Sequence, residues 1–365
     1  MELWYNIPKE KLGTGFEYED YSKICGKCRT SAGKGRNMGI RWGILGTAGI
    51  AAGCTIPGMK QAENCELYAI AGRNEKKVSE FQERYGFEKA YVGYDALLAD
   101  PQVQAVYVPL PNDIHYEWVL KAVKAGKHVL CEKPIALNAT EAQAMYDAAK
   151  DNGVILMEAF AYLHSPYVDM LKEDVKSGII GEVDYIETAF LTQGYKEDFR
   201  LHKEFGGGAF YDLGCYCTTM ILTLAETCNV AWKPAYVKAV AEFTEEGVDM
   251  LTAGIMQFES GLRASFNVGM NLGINSNSRF DRLYVHGSKG FLRSDVEYNQ
   301  EGELKYTVVS EGKTLERKVH AGQNYALELE QMNRCILHGE KQHVTPEFSM
   351  ANAKLMDAVL KEIGY

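Results

Sequence analysis

The amino-acid sequence predicts an α/β protein in which a doubly wound parallel sheet is followed by an α+β part with a large, mostly antiparallel open sheet. Three observations support this prediction. Between residues 39 and about 158, short apolar runs alternate with amphipathic stretches, which is the pattern of strands connected by helices. A turn of small residues follows the first apolar run. Beyond residue 158, most predicted strands follow one another without helices between them, as in an antiparallel sheet.

The turn of small residues ends the first predicted strand, Ile40–Leu45, and precedes a helix-compatible segment with the spacing G-x-A-x-x-A. Backbone N–H groups at the start of a helix, together with the helix dipole, favour an anion such as a pyrophosphate. A turn of this kind can also serve packing alone. The surrounding alternation of strands and helices favours a dinucleotide site in a Rossmann domain. Its predicted cofactor-binding residues are Gly46, Thr47, Ala48, Gly49, Ile50 and Ala51.

The other elements of this domain are predicted from apolar periodicity. Amphipathic helices are expected at Lys77–Tyr85 and Tyr116–Ala125. In the second, Val119, Leu120 and Val123 share one face, as a helix that covers a sheet needs. The predicted Rossmann domain spans residues 39–158. Four further buried strands are expected at Leu67–Ala71, Ala105–Val108, His128–Cys131 and Val154–Met157.

A second domain of the α+β type is predicted for residues 159–365. Its helices are expected at Gly208–Leu224, Tyr325–Leu337 and Met350–Ile363. Between residues 262 and 268, apolar residues alternate with polar ones, which is typical of a strand with one covered face. Strands are expected at Tyr236–Phe243, Met250–Phe258, Gly261–Val268, Phe280–Val285, Lys305–Val309 and Leu315–Val319.

Composition and charge exclude several classes of protein. The chain has 365 residues, of which 46% are hydrophobic and 24% charged, as in an ordinary globular protein. Its net charge of -10 argues against a nucleic acid or an anionic membrane as the main partner. No apolar segment approaches the roughly 20 residues of a membrane-spanning helix, and the N-terminus lacks the apolar core of a signal peptide. A cytoplasmic location with nine free cysteine thiols is therefore expected.

Residues 1–38 are interpreted as an N-terminal extension without sustained periodicity, and no role is predicted for them. The extension holds one Cys-x-x-Cys pair, Cys25 and Cys28. A zinc site would need two more ligands, and a thioredoxin-like motif would need a preceding strand and a following helix. Since neither is visible, no metal site is predicted.

The end of the second strand indicates which dinucleotide is bound. About 20 residues beyond the glycine turn, an acidic residue would accept hydrogen bonds from the ribose of NAD. Arg73 and Asn74 lie there instead, with Lys77 close behind. These side chains offer positive charge and hydrogen-bond donors to a 2′-phosphate. NADP is therefore favoured over NAD, and a solvated arginine at a strand end is the alternative.

Two further polar clusters follow predicted strands and are expected at the ligand-binding edge of the sheet. Pro111, Asn112 and His115 come after one strand, and Glu132 and Lys133 come after the next. The lysine stands beside a proline that rigidifies its turn. Taken alone, it is better explained as a surface lysine in a loop.

A fourth cluster begins with three glycines at 206–208 and continues into a predicted helix. Asp212 and Tyr216 are four residues apart in this helix, so both side chains project from one face. A carboxylate and a phenol on the inner face of an apolar helix are costly unless they point into a cleft. The alternative is an aspartate that complements the helix dipole beside a packed tyrosine.

The order and spacing of these motifs closely resemble the Gfo/Idh/MocA oxidoreductase family over residues 39–365. Tyr216, where many members carry histidine, resembles the branch of glucose-fructose oxidoreductase, NADP-dependent D-xylose dehydrogenase and dimeric dihydrodiol dehydrogenase. Ala48 departs from the usual middle glycine, and residues 1–38 match nothing in the family. The motifs that carry the resemblance are Gly46-Thr-Ala-Gly-Ile-Ala51, Glu132-Lys-Pro134, Met157-Glu-Ala-Phe160 and Gly206-Gly-Gly…Asp212-Leu-Gly-Cys-Tyr216.

The resemblance implies that Lys133 is the catalytic lysine, Tyr216 the proton-transfer residue and Asp212 its helical partner at the substrate. It also places Pro111, Asn112 and His115 at the cofactor. The expected reaction is reversible hydride transfer between nicotinamide and a hydroxyl-bearing carbon of a sugar, cyclitol or dihydrodiol. Because a free tyrosine is a poor base, the Lys133 ammonium is expected to lower the pKa of Tyr216. Four other residues are candidates for the substrate side, with a structural or solvated role as the alternative for each: Tyr162, His164, Arg200 and His202.

Two other functions fit the same resemblance. A glycosidase could oxidise its sugar transiently, eliminate the substituent and reduce the sugar again. A non-enzymatic NADP-sensing regulator is the second alternative, but it has no need of Lys133 and Tyr216. A homodimer or homotetramer is expected, because Met250, Met256 and Phe258 are predicted on the uncovered face of the second sheet.

Overall fold

The computed structural model describes residues 39–193, 198–271 and 279–365. The N-terminal extension, with Cys25 and Cys28, lies outside the described residues. The seven cysteines of the described residues are free thiols. Within these same ranges, no helix is both long and apolar enough to cross a bilayer.

The N-terminal sheet has six described strands, all in parallel pairs. They are β1 (Ile40–Leu45), β2 (Cys65–Gly72), β3 (Lys89–Val92), β4 (Ala105–Val108), β5 (His128–Glu132) and β6 (Leu156–Ala159). Their spatial order is β3-β2-β1-β4-β5-β6, so the chain reverses its direction of winding between β1 and β4. The predicted doubly wound Rossmann sheet is confirmed. Only β3 is missing from the prediction, because its four residues include none that is buried.

Helices cover this sheet on both faces. A π-helical turn at Ala51–Thr55 leads into the first of them. The predicted helices at 77–85 and 116–125 are confirmed within two residues at their N-terminal ends. The helices of this part are α1 (Ile56–Gln61), α2 (Glu75–Tyr85), α3 (Tyr94–Leu98), α4 (His115–Lys124) and α5 (Ala139–Asp151).

The second sheet has eight described strands. They are β7 (Val183–Thr192), β8 (Pro234–Phe243), β9 (Asp249–Phe258), β10 (Arg263–Gly269), β11 (Arg279–Gly287), β12 (Gly290–Ser294), β13 (Gly302–Ser310) and β14 (Lys313–Ala321). Their order is β14-β13-β12-β11-β7-β10-β9-β8. Neighbours pair antiparallel, except that β7 and β10 are parallel. The predicted mostly antiparallel sheet is confirmed.

The prediction omits β7 and β12 of this sheet. In β7, Asp184 and Glu187 interrupt the apolar pattern, although the strand lies in the middle of the sheet. β12, Gly290–Ser294, has only five residues, too few for a clear alternation. Both strands are held by pairing with longer neighbours, which a local pattern does not reveal.

The helices of the second part are α6 (Pro166–Lys176), α7 (Cys215–Thr227), α8 (Asn324–His338) and α9 (Pro346–Ile363). The predicted helix at 208–224 is a π-helical turn, Phe210–Gly214, that continues into α7. Helix α8 packs against α1, and the Trp42 indole of β1 donates a hydrogen bond of 3.0 Å to Asn333 Oδ1 of α8. The C-terminal helices therefore join the two sheets into one core.

The assignment of faces in β9 was wrong. Met256 and Phe258 are only 1% exposed and belong to the core, and Met250 is half-buried against it. The residues on the open face have the opposite parity in the strand: Ile255 is 52% exposed. Side chains alternate between faces, so an error of one residue in parity moves every side chain to the other face.

Candidate active site

The turn after β1 has the geometry that a dinucleotide requires. Gly46 has φ +116°, a conformation that favours glycine, and its N–H donates to Ala71 O at 2.7 Å. The helix that follows begins at Gly49, which is exposed. A Cβ at Gly49 would meet nothing within 4 Å, so open space lies in front of the helix N-terminus. These features fit a bound pyrophosphate.

The end of β2 lies beside this turn, because Ala71 pairs with Leu45 and a Cβ on Gly72 would lie 3.6 Å from Thr47 Cγ2. Arg73 and Lys77 are exposed here. Asn74 caps α2, since its Oδ1 accepts from the Lys77 N–H at 3.0 Å. The structure thus brings the predicted 2′-phosphate residues next to the turn, with the Asn74 oxygen used for the helix cap.

The loop after β4 is joined to the rest of the crevice by two buried side chains. Asn112 Nδ2 donates to Gly206 O at 2.8 Å, across to the second domain. His115 is fully buried, with Nδ1 2.9 Å from Pro134 O and Nε2 2.8 Å from Leu110 O. Burial lowers the pKa of His115 to about 4, so its ring is neutral at neutral pH. The side chain of His115 connects two loops and has no surface for a ligand.

Glu132 ends β5 and is buried. Its Oε1 accepts from the Tyr107 hydroxyl at 2.5 Å, and its Oε2 accepts from the Lys133 N–H at 3.2 Å. Burial raises the pKa of Glu132, and the Lys133 ammonium and the Tyr107 hydroxyl oppose the rise. Glu132 thereby fixes the backbone from which the Lys133 side chain projects.

Lys133 and Asp212 form a buried ion pair between the two domains. Lys133 Nζ donates to Asp212 Oδ1 at 2.7 Å and to Asp212 O at 2.9 Å. Arg200 Nε lies 2.9 Å from the other carboxylate oxygen, Oδ2. Burial by itself lowers the pKa of Lys133, but the attraction to Asp212, with smaller contributions from Tyr216 and Cys215, raises it well above its usual range. Lys133 is therefore an ammonium at any physiological pH.

Tyr216 lies next to this ion pair, with Lys133 Nζ 5.2 Å from its ring centroid. Among the described residues, its hydroxyl has no hydrogen-bond partner, and the side chain is half-buried. Burial raises the pKa of Tyr216 above its usual range, and Lys133 only partly opposes the rise. The expectation of a lowered pKa was therefore wrong in its net direction, because loss of solvation exceeds the attraction of one ammonium.

The four candidate substrate-side residues separate into two groups. Arg200 contacts Asp212, and the Tyr162 ring lies 5.7 Å from the Tyr216 ring. His202 lies on the chain between Arg200 and the glycines, with its ring 5.9 Å from that of Phe205. His164 is buried elsewhere, stacked at 5.2 Å on His343.

An aromatic cluster surrounds Tyr216 and was not predicted from the sequence. The rings of Phe190 and Tyr298 lie 5.4 Å and 5.1 Å from it, and Phe160 lies at 5.8 Å. Phe160 belongs to the Met157-Glu-Ala-Phe160 motif, and no role was predicted for it. Phe190 and Tyr298 come from β7 and from the turn after β12, two strands that were not predicted. A correct prediction of β7 would have been the only sequence signal for Phe190.

Comparisons with known proteins decide the family. A model described as "Oxidoreductase family, NAD-binding Rossmann fold" matches residues 40–160, and a model of the Gfo/Idh/MocA C-terminal domain matches residues 168–293. The chain belongs to the Gfo/Idh/MocA oxidoreductase family. The resemblance drawn from the motifs is thereby confirmed, together with an NAD(P)-binding Rossmann domain and an oxidoreductase activity.

Relatives within the Gfo/Idh/MocA family act on sugars and diols. The chain is 32% identical over 324 residues to D-xylose 1-dehydrogenase (NADP(+)) 2 of Haloferax volcanii, covering 88% of this chain and 96% of that protein. It is 29% identical over 344 residues to trans-1,2-dihydrobenzene-1,2-diol dehydrogenase of Xenopus tropicalis, covering 90% and 99%. A 3-ketoreductase from Actinomadura kijaniata, solved with NADP and TDP-benzene, superimposes with a TM-score of 0.82 at 28% identity, covering 89% and 98%.

Proposed function

We propose that the protein transfers hydride between NADP and a hydroxyl-bearing carbon of a sugar, cyclitol or dihydrodiol, with Tyr216 as the proton-transfer residue. The observation that carries this proposal is the position of the Lys133–Asp212 ion pair at the carboxyl edge of the Rossmann sheet, with Lys133 Nζ 5.2 Å from the centroid of the Tyr216 ring. A bound nicotinamide supplies or accepts the hydride. The chain's own residues must then move one proton and stabilise the charge on the substrate oxygen.

Tyr216 is suited to give that proton in the reductive direction. Because burial holds its pKa above the usual range, the hydroxyl is protonated at neutral pH. As hydride reaches a carbonyl carbon, the oxygen gains negative charge and takes the tyrosine proton. Lys133, an ammonium throughout, stabilises the charge on either oxygen. Asp212 holds Lys133 in place and is itself held by Arg200.

The cofactor is proposed to lie along the edge formed by the glycine turn, β2 and the two polar loops. The turn at 46–51 would hold the pyrophosphate at the helix N-terminus. Arg73 and Lys77 would face a 2′-phosphate, which favours NADP. Pro111, Asn112 and Glu132 shape the crevice beyond it, while His115 supports the loops from behind.

The test is an absorbance assay for reduced nicotinamide with the purified full chain. Aldoses, inositols and dihydrodiols are each offered with NADP and with NAD. We expect one substrate class to reduce NADP, with a higher kcat/KM for NADP than for NAD. Equal kcat/KM for the two cofactors would contradict the role given to Arg73.

Two outcomes would overturn the proposal itself. Release of an aglycone from a glycoside without net reduction of the cofactor would assign the glycosidase reaction. Tight binding of NADP without turnover of any substrate class would favour the regulator.

We also propose that the protein is a homo-oligomer that covers the open face of the second sheet. Tyr236, Val240, Ile255 and Phe280 are between 45% and 73% exposed and share that face. An exposed apolar surface of this kind is typical of a protein interface. These four residues replace Met250, Met256 and Phe258 of the sequence-based prediction.

A further inference from the structure

Glu158 is a buried carboxylic acid that the proposed mechanism does not use. It lies on β6, where it is 1% exposed and pairs in parallel register with Cys131 of β5. Its Oε1 accepts a hydrogen bond of 2.9 Å from the Ile135 N–H. Burying a carboxyl group is costly unless it is hydrogen-bonded, so a residue with this single contact to the protein backbone needs an explanation.

The contact lies in the segment that follows the catalytic lysine. Ile135 is two residues from Lys133. The carbonyl oxygen of Pro134, between them, lies 2.9 Å from His115 Nδ1. Leu137 closes the segment by donating its N–H to Glu141 at 3.2 Å. Glu158 therefore holds the middle of segment 133–137 from the side of β6.

We propose that Glu158 is a positioning residue for Lys133, and that its hydrogen bond to Ile135 sets where the lysine side chain starts. Lys133 Nζ donates to two acceptors on Asp212, at 2.7 Å and 2.9 Å. A shift of the lysine backbone would lengthen these hydrogen bonds. A shift of about 1 Å in a catalytic group can cost about a hundredfold in rate. The expected effect of Glu158 on the catalytic rate rests on the proposed function. Its expected effect on the position of segment 133–137 does not.

The role of Glu158 is to accept a hydrogen bond, and not to supply charge. Burial raises the pKa of Glu158 to about 7, and interactions with the Ser349 hydroxyl and the Ile135 N–H oppose the rise. Near neutral pH the side chain therefore exists in both protonation states, and Oε1 can accept from the amide in each. Glutamine, which keeps a carbonyl oxygen at the same reach, should serve in its place.

The test compares E158Q and E158L in the full chain by hydrogen–deuterium exchange and by steady-state kinetics. In E158L we expect the peptide containing residues 133–137 to exchange about tenfold faster and kcat to fall about a hundredfold, with the Kd for NADPH within about twofold. In E158Q both quantities stay within about threefold of the parent, as the conserved acceptor predicts. D174N is the control, because Asp174 is also a buried carboxyl group but lies on α6, where it is bound by Tyr306 and Arg317. It should leave exchange of this peptide unchanged.

Three results would overturn the inference: unchanged exchange of the segment in E158L, faster exchange with an unaltered kcat, or E158Q as impaired as E158L. If E158L does not fold, E158S replaces it, since a serine hydroxyl is too short to reach Ile135. Exchange is measured without substrate, so it decides whether Glu158 holds the segment even if no substrate class reduces NADP. A failure of the proposed function is thereby distinguished from a failure of this inference.

Discussion

Tyr216 differs from a tyrosine in water because aromatic rings surround its side chain, and its hydroxyl has no hydrogen-bond partner among the described residues. Phe160, Phe190 and Tyr298 surround the ring, and burial raises the pKa of the hydroxyl. A raised pKa keeps the hydroxyl protonated at neutral pH, so the form that can give a proton is populated and the phenolate that can take one is rare. The two directions of the proposed reaction should therefore respond differently to pH.

The first prediction concerns this pH dependence. Oxidation needs the deprotonated tyrosine, whose population increases tenfold per pH unit below its pKa, so the oxidation rate should rise between about pH 6 and pH 9. Reduction needs the protonated form and should stay nearly constant over the same range. Tyr216→Phe should lower kcat at least about a hundredfold in both directions and remove the slope. Steady-state rates across this pH range provide the measurement.

The control for this substitution is Tyr167→Phe. Tyr167 of α6 is also buried, and its hydroxyl donates a hydrogen bond of 2.6 Å to Ser294 Oγ of β12. Y167F should alter stability without altering the pH profile. A flat oxidation profile in the parent protein, or undiminished turnover in Y216F, would remove Tyr216 from proton transfer.

The central pair of the site could be predicted from sequence because each partner sits beside a recognisable local feature. Lys133 follows a buried strand, and Asp212 and Tyr216 share a helical spacing. Their distance from one another could not be predicted from spacing, since the Lys133–Asp212 contact joins residues 79 positions apart. Only the family resemblance linked them. The pKa of Tyr216 depends on aromatic rings that other elements bring to it. The direction of its shift could therefore not be predicted from the local sequence.

At the scale of elements, the predictions succeeded where a segment's own residues show its pattern, either as a buried apolar run or as helical periodicity. β4 is predicted to the residue, and α8 within one residue at each end. The predictions omitted β7 and β12 because these two strands are stabilised by pairing with neighbouring strands. The faces of β9 were assigned wrongly for a related reason. Which face is covered depends on where the π-helical turn at Phe210–Gly214 packs, and the strand itself carries apolar residues on both faces.

The helical segment that carries Asp212 and Tyr216 depends on the aspartate at 249. Asp249 Oδ2 accepts from the Phe210 N–H at 2.9 Å, at the start of the π-helical turn. Gly208, with φ +107°, lies so close that a Cβ would be 2.0 Å from Asp249 Oδ1. A side chain at position 208 must therefore displace the carboxylate that fixes this end of the segment.

The second prediction follows for Gly208→Ala. It should cost about 3 kcal/mol of unfolding free energy, from backbone strain and the displaced carboxylate together, and should lower kcat. Gly178→Ala is the matched control: φ is +70°, but a Cβ there meets nothing within 4 Å, so only about 1 kcal/mol of backbone strain is expected. Denaturant unfolding and turnover of the same preparations provide the comparison. Equal losses in the two variants would show that Asp249 does not organise the segment.

At the scale of the whole molecule, the second sheet has one face built into the core and one that is open. Met256 and Phe258 on the core side are 1% exposed, whereas Val240 on the open side is 73% exposed. The Rossmann sheet is instead covered on both sides by helices, as a parallel sheet requires. The asymmetry leaves the second sheet as the place where a second copy of the chain can bury apolar surface.

The last prediction tests that interface with the double substitution V240E/I255E. Both residues lie on the open face, so two glutamates in each subunit would be desolvated and brought against like charges on association. We expect light scattering at micromolar concentration to give a dimer or tetramer for the parent protein and a monomer for the variant. V92E is the control, because Val92 is 58% exposed but lies on β3 of the other sheet, and it should leave the mass unchanged. A monomeric parent protein, or an unchanged mass in V240E/I255E, would place the open face in contact with solvent instead of a second subunit.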